Sequence, residues 1–103
     1  MITEEELVKI EQTYEQAKAK RMTSKNDFEA QKGAYHLELI GLRESGQTLT
    51  QEDFKAMKAS AILNKATVRD AYIKLLEADA ECRKAKIEWE SAKRRYWDGK
   101  PQR

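Results

Sequence analysis

Lys93, Arg94, Arg95, Tyr96 and Trp97 run consecutively near the end of the chain, with Lys100 and Arg103 just beyond them. Ammonium and guanidinium groups neutralise phosphates and aromatic faces stack on bases, so this mixture has the chemistry of nucleic-acid contact. The same residues have a second use. Cations complement the negative end of a helix dipole, and their aliphatic stems cover apolar surface. The structural use is the preferred expectation. Nucleic-acid contact through Lys93, Arg94, Arg95, Trp97 and Lys100 is the alternative.

Elsewhere the reactive residue types are isolated. His36 is the only histidine, and no Cys, Asp or Glu stands one helical turn from it. Metal and catalytic sites need convergent ligands, so His36 is expected at a surface or an interface. Glu4, Glu5 and Glu6 are adjacent, but acids belong where a helix begins and its dipole is positive. Cys82 is a lone cysteine, which excludes an internal disulfide framework and suits a small buried hydrophobe. No nucleophile elbow, phosphate-binding loop or Glu-x-x-His pair appears. The expectation is therefore a protein that is not an enzyme, with no catalytic residue, no cofactor and no metal.

Any such residue must be positioned by helices. The 103 residues are 37% charged and include four glycines and one proline, a composition of long helices and not of sheets. A chain of this length buries only a little over ~60% of its unfolded surface, so a large central core is out of reach. The net charge of +2 is too mild for its total to imply a nucleic-acid partner. The acidic start Met-Ile-Thr-Glu-Glu-Glu is unlike a secretory signal, and no apolar run has the length of a membrane span. A cytoplasmic setting and no membrane partner are expected.

The helices are visible in a seven-residue repeat. From Phe54 the a positions read Phe54, Ala61, Val68, Leu75, Cys82, Trp89 and Tyr96, and the d positions Met57, Asn64, Ala71, Ala78, Ala85 and Ala92. This is a coiled-coil seam in which an alanine ladder invites close approach of a second helix. Asn64 at a d position either fixes register or lies exposed at an edge. The partner stripe runs through Leu7, Ile10, Tyr14 and Ala17 and resumes at Phe28, Tyr35, Leu39 and Leu42. Between these, Arg21 and Ser24 weaken it, and Met22 to Asn26 is where a kink or break would fall. With no Gly or Pro there, a continuous or slightly kinked helix is preferred. Gly33 and Gly41 each cost about 1 kcal/mol relative to Ala inside a helix, which points to close helix packing.

Thr3 with Glu6 forms a capping-box pattern at the first helix, and Gly46 is suited to its C-terminal cap. Thr50 caps the second helix, with Glu52 and Asp53 in its first turn. The expected organisation is a single helical domain: helix 3–44, turn 45–49, helix 50–97 and a frayed tail 98–103. So short a turn makes the helices antiparallel. That register sets residues 1–16, with five acids and one lysine, against residues 83–103, with eight bases and three acids.

The fold class is thus all-α, a long antiparallel two-helix coiled-coil hairpin. Its second helix carries another apolar row, Ile62, Ala66, Ile73, Leu76, Ala80 and Ile87, and the first carries Leu37 and Ile40 away from its stripe. A two-helix hairpin cannot bury both rows, so Leu37, Ile40, Ile62, Ala66, Ile73 and Leu76 are the expected interface of a homodimer, a four-helix bundle. The function expected is a protein-protein interaction module, an adaptor, assembly factor or inhibitor in the style of small bacterial or phage accessory proteins. Its partners would be itself and a further protein whose identity the sequence does not encode.

Overall fold

The computed structural model describes residues 2–44 and 50–99. It is all-α: 94% helical, with no strand among the described residues. The elements are α1 (Glu4–Glu44), α2 (Gln51–Ala59), α3 (Ala61–Asn64) and α4 (Ala66–Asp98). The expected turn at 45–49 and most of the expected tail, from 100 onward, lie outside the described residues. No helix among the described residues is long and apolar enough to cross a membrane.

Both expected N-caps are in place, with one arm of the capping box at Thr3 and both at Thr50. Thr3 Oγ1 accepts a hydrogen bond from the Glu6 backbone N–H at 3.2 Å. At α2 the capping box is reciprocal: the Asp53 N–H donates to Thr50 Oγ1 at 3.1 Å, and the Thr50 N–H donates to the Asp53 carboxylate at 3.4 Å. Two of the backbone donors that a helix start leaves unpaired are satisfied there, an arrangement worth about 1 kcal/mol. α1 is helical without interruption through 22–26.

The second half differs from the single helix 50–97 expected. Ser60 interrupts it with φ −97° and ψ 21°, and Lys65 breaks it with an extended backbone, φ −127° and ψ 116°. Neither Gly nor Pro is responsible. Ser60, Asn64, Thr67 and Val68 are all weak helix formers, by backbone competition or by β-branching, and they cluster where the breaks occur. Beyond the breaks the helix runs to Asp98, and the Gly99 N–H donates to the Arg95 carbonyl at 3.1 Å.

The chain divides into two compact units, one of Met1–Met22 with Glu77–Arg103 and one of Thr23–Leu76. In the first, Ala78, Ala85 and Ala92 are 1%, 7% and 0% exposed and Cys82 is also buried. The alanine ladder is therefore a packed seam, and Leu7, Ile10, Tyr14 and Ala17 are the half-buried residues of the facing stripe. The Lys20 ammonium pairs with Glu81 at 3.1 Å, and Arg21 Nε pairs with Asp79 at 3.0 Å. Ile2, Glu6 and Ile10 share a cavity with Arg95, Asp98 and Gly99. Rising numbers on one segment meet falling numbers on the other, so within this unit the two segments run in opposite directions.

In the second unit a core of Tyr35, Leu39, Ala61 and Val68 is packed by Phe28, Phe54, Met57 and Ile62. Leu39 and Val68 are its largest fully buried side chains, and burial of each is worth about 1.5–3 kcal/mol. The rings of Phe28 and Tyr72 lie 5.3 Å apart, and the Lys65 ammonium pairs with Glu38 at 3.0 Å. Leu42, placed on the stripe by its spacing, is 38% exposed, and Asn64 is exposed.

Among the described residues Gly33 and Gly41 are not packing glycines: a Cβ added at either would meet nothing within 4 Å. Spacing alone cannot separate a glycine that admits a neighbouring helix from one that leaves space empty.

Candidate functional site

Three groups of residues in the structure have the makings of a site. The first is the exposed apolar set of the Thr23–Leu76 unit. On α4, Ile73 and Leu76 lie one turn apart on the same side and are 46% and 49% exposed. Leu37 on α1 and Leu63 on α3 are more open still, at 68% and 77%. The other expected interface residues sort differently. Ala66 is exposed, Ile40 is half-buried, and Ile62 packs against the intramolecular core. Ile62 is thereby shared between the core and the surface, because α3 is a separate turn and does not continue the line of α4. Leu63, exposed instead, was not in the expected set.

The second group is the basic end of α4. Arg94 and Arg95 are exposed and Trp97 is 63% exposed. The Lys93 ammonium sits over the Trp89 ring, 5.1 Å from its centre, and the rings of Tyr96 and Trp97 meet edge to face at 5.6 Å. Lys93, Arg94 and Trp97 line a shallow concavity, but so do Glu90 and Asp98. A phosphate approaching those bases meets two carboxylates in the same place, which weakens the electrostatic attraction that nucleic-acid binding rests on. Lys100 lies outside the described residues.

Among the described residues of this unit, ion pairs across the helices join bases on α1 (Lys20, Arg21) to acids on α4 (Glu81, Asp79), just beyond the oppositely charged segments 1–16 and 83–103. Asp79 also accepts from Arg83 one turn on, at 3.0 Å, so one carboxylate holds two guanidinium groups. Totals over a segment do not say which side chains point across a seam.

The third group is around His36, which is neither fully exposed nor in the core. Its ring meets Phe54 edge-on at 5.4 Å, and its Nδ1 is buried with no hydrogen-bond partner among the described residues. It borders a cavity of about 540 Å³ together with Lys32 on the same helix and Lys55 and Lys58 on α2. These lysines were not singled out from the sequence. The available signal was the pairing of Lys32 with His36 at i, i+4 and of Lys55 with Lys58 at i, i+3, each placing two basic groups on one helix face.

Among the described residues no three His, Cys, Asp or Glu side chains gather as metal ligands. The Lys18 ammonium is held above its ordinary value near 10.5, chiefly by its hydrogen bond to Glu15 at 2.7 Å, against a smaller opposing effect of desolvation. No protein-family model matches this chain, and neither does any curated protein or solved structure.

Proposed function

We propose that the chain is a non-enzymatic protein-protein interaction module, an antiparallel helical hairpin that joins a second copy to form a four-helix bundle. The observation that carries this is the exposure of Leu37, Leu63, Ile73 and Leu76, four large aliphatic side chains within one 54-residue unit. Scattered single exposures are ordinary, but a neighbouring pair such as Ile73 and Leu76 on a half-open helix face gains by burial against another apolar surface. A second copy presents the same residues, and a two-fold axis makes such a surface complementary to itself. Further protein partners, as an adaptor, assembly factor or inhibitor would have, would be engaged from that assembled state.

Sedimentation tests this. The wild-type chain at tens of micromolar is expected to run as a dimer. Ile73→Asp, at a position already 46% exposed, is expected to yield monomer with its helical circular dichroism intact. A wild type that is only monomeric removes the proposal.

The second reading, contact with nucleic acid through the basic end of α4, draws on the exposure of Trp97. If it holds, Arg94→Gln with Arg95→Gln weakens binding and flattens its salt dependence by roughly one unit of slope per lost phosphate contact. If the bases are structural, the double change leaves binding activity as it was and melting almost as it was. Failure of the wild type to bind single- or double-stranded nucleic acid at low salt eliminates this reading.

A further inference from the structure

From the cavity beside His36 we infer a binding site for a small amphipathic carboxylate, a carboxyl group carried on a short apolar body. Three observations meet there, independently of the apolar residues that support self-association. The cavity's charged lining is entirely cationic: Lys32, Lys55 and Lys58 border it, and no Asp or Glu does. Among the described residues Lys55 and Lys58 form no ion pair, whereas Lys65 nearby is paired with Glu38. Next, the His36 ring borders the same cavity, so its signal reports on whatever enters. Finally, Gly33 stands in the cavity wall with open space where its Cβ would be. A residue that costs about 1 kcal/mol in a helix, and that no neighbouring helix among the described residues requires, keeps that space free.

Size and lining select the ligand. About 540 Å³ falls within the range of small-molecule pockets, roughly 300–1,000 Å³. Leu39, Ala59 and Ala61 give it apolar lining, against which an alkyl or aryl body would pack, while the lysines take the charged end. Charge-assisted hydrogen bonds from ammonium groups to a carboxylate are about twice as strong as neutral ones, so the carboxylate end would govern selectivity.

The test uses the full chain with octanoate as the probe and octylamine as the opposite-charge control. The chain has one histidine, so a ¹⁵N spectrum of the imidazole shows a single residue. Octanoate is expected to shift that signal saturably, with octylamine leaving it unmoved. Lys55→Gln with Lys58→Gln should weaken octanoate binding about tenfold or more, as loss of charge-assisted contacts predicts. Gly33→Leu should abolish binding by filling the cavity while raising the melting temperature, since Leu is the better helix former. Absence of a saturable shift with octanoate overturns the site. Equal binding of octylamine, or undiminished binding by the lysine double variant or by Gly33→Leu, overturns it too, because each would show a merely greasy surface or a different location.

Discussion

The two units of this chain solve helix packing in different ways. The unit of Met1–Met22 and Glu77–Arg103 buries small side chains, Ala78, Ala85 and Ala92, on an unbroken stretch of α4 and ties its segments across the seam with two ion pairs. The Thr23–Leu76 unit buries larger ones, Tyr35, Leu39 and Val68, and its second half is cut into three helical pieces at Ser60 and Lys65. Alanine seams demand regularity, because a one-residue slip replaces a methyl group with a charged side chain. Large residues tolerate irregular backbone, since each fills its own space. The candidate sites with apolar character, the aliphatic set and the cavity beside His36, both fall in the unit packed the second way.

This contrast can be broken most forcefully at Leu39. Leu39→Ala removes the side chain at the centre of the large-residue core and should cost about 2–5 kcal/mol in denaturant unfolding, depending on how far the site collapses. A cost below about 1 kcal/mol would mean that the core of the Thr23–Leu76 unit is loose. The opposite substitution probes the other unit. Ala78→Leu adds volume where exposure is 1% and should destabilise by about 1–3 kcal/mol through overpacking. An unchanged melting temperature there would show the seam to be roomier than an alanine ladder implies.

Much of this was legible in the sequence, for a definite reason. Ala71, Ala78, Cys82, Ala85 and Ala92 are all buried at the positions the seven-residue repeat assigns them, because periodicity encodes which face of a regular helix is covered. The repeat assumes regularity and therefore could not show where it stops. The break at Lys65 has no Gly or Pro, only a run of weak helix formers whose individual preferences are a few tenths of a kcal/mol. Ile2, buried at 8%, precedes the Thr3 cap with Leu7 five residues on, the spacing of a hydrophobic staple, a signal that the seven-residue repeat does not carry. The cavity beside His36 was illegible because a void is set by the packing of two helices, and neither helix records it alone.

Smaller effects sharpen the comparison. Asp79→Asn should cost under about 1 kcal/mol although it releases both Arg21 and Arg83, since both guanidinium groups are exposed and regain water. A larger loss would make that carboxylate the clamp that fixes register, and the seam would then depend on charge as well as shape. Smallest of all is Lys18. Its raised pKa means that its stabilising contribution is present below about pH 10 and is lost as pH climbs through the raised value. Lys18→Met should therefore leave melting at neutral pH nearly unchanged and remove only a slight decline in strongly alkaline solution.

The buried thiol of Cys82 turns the molecule into its own stopwatch. It is the only cysteine, it is 6% exposed, and it belongs to the alanine-seamed unit. A thiol reagent reaches it when that seam parts, so the rate of modification under native conditions counts every opening that includes this unit. When reclosing outpaces labelling, that rate converts to an opening free energy, with one decade of slowing equal to about 1.4 kcal/mol. The protein can thus be timed opening at this seam with no reporter residue engineered into it.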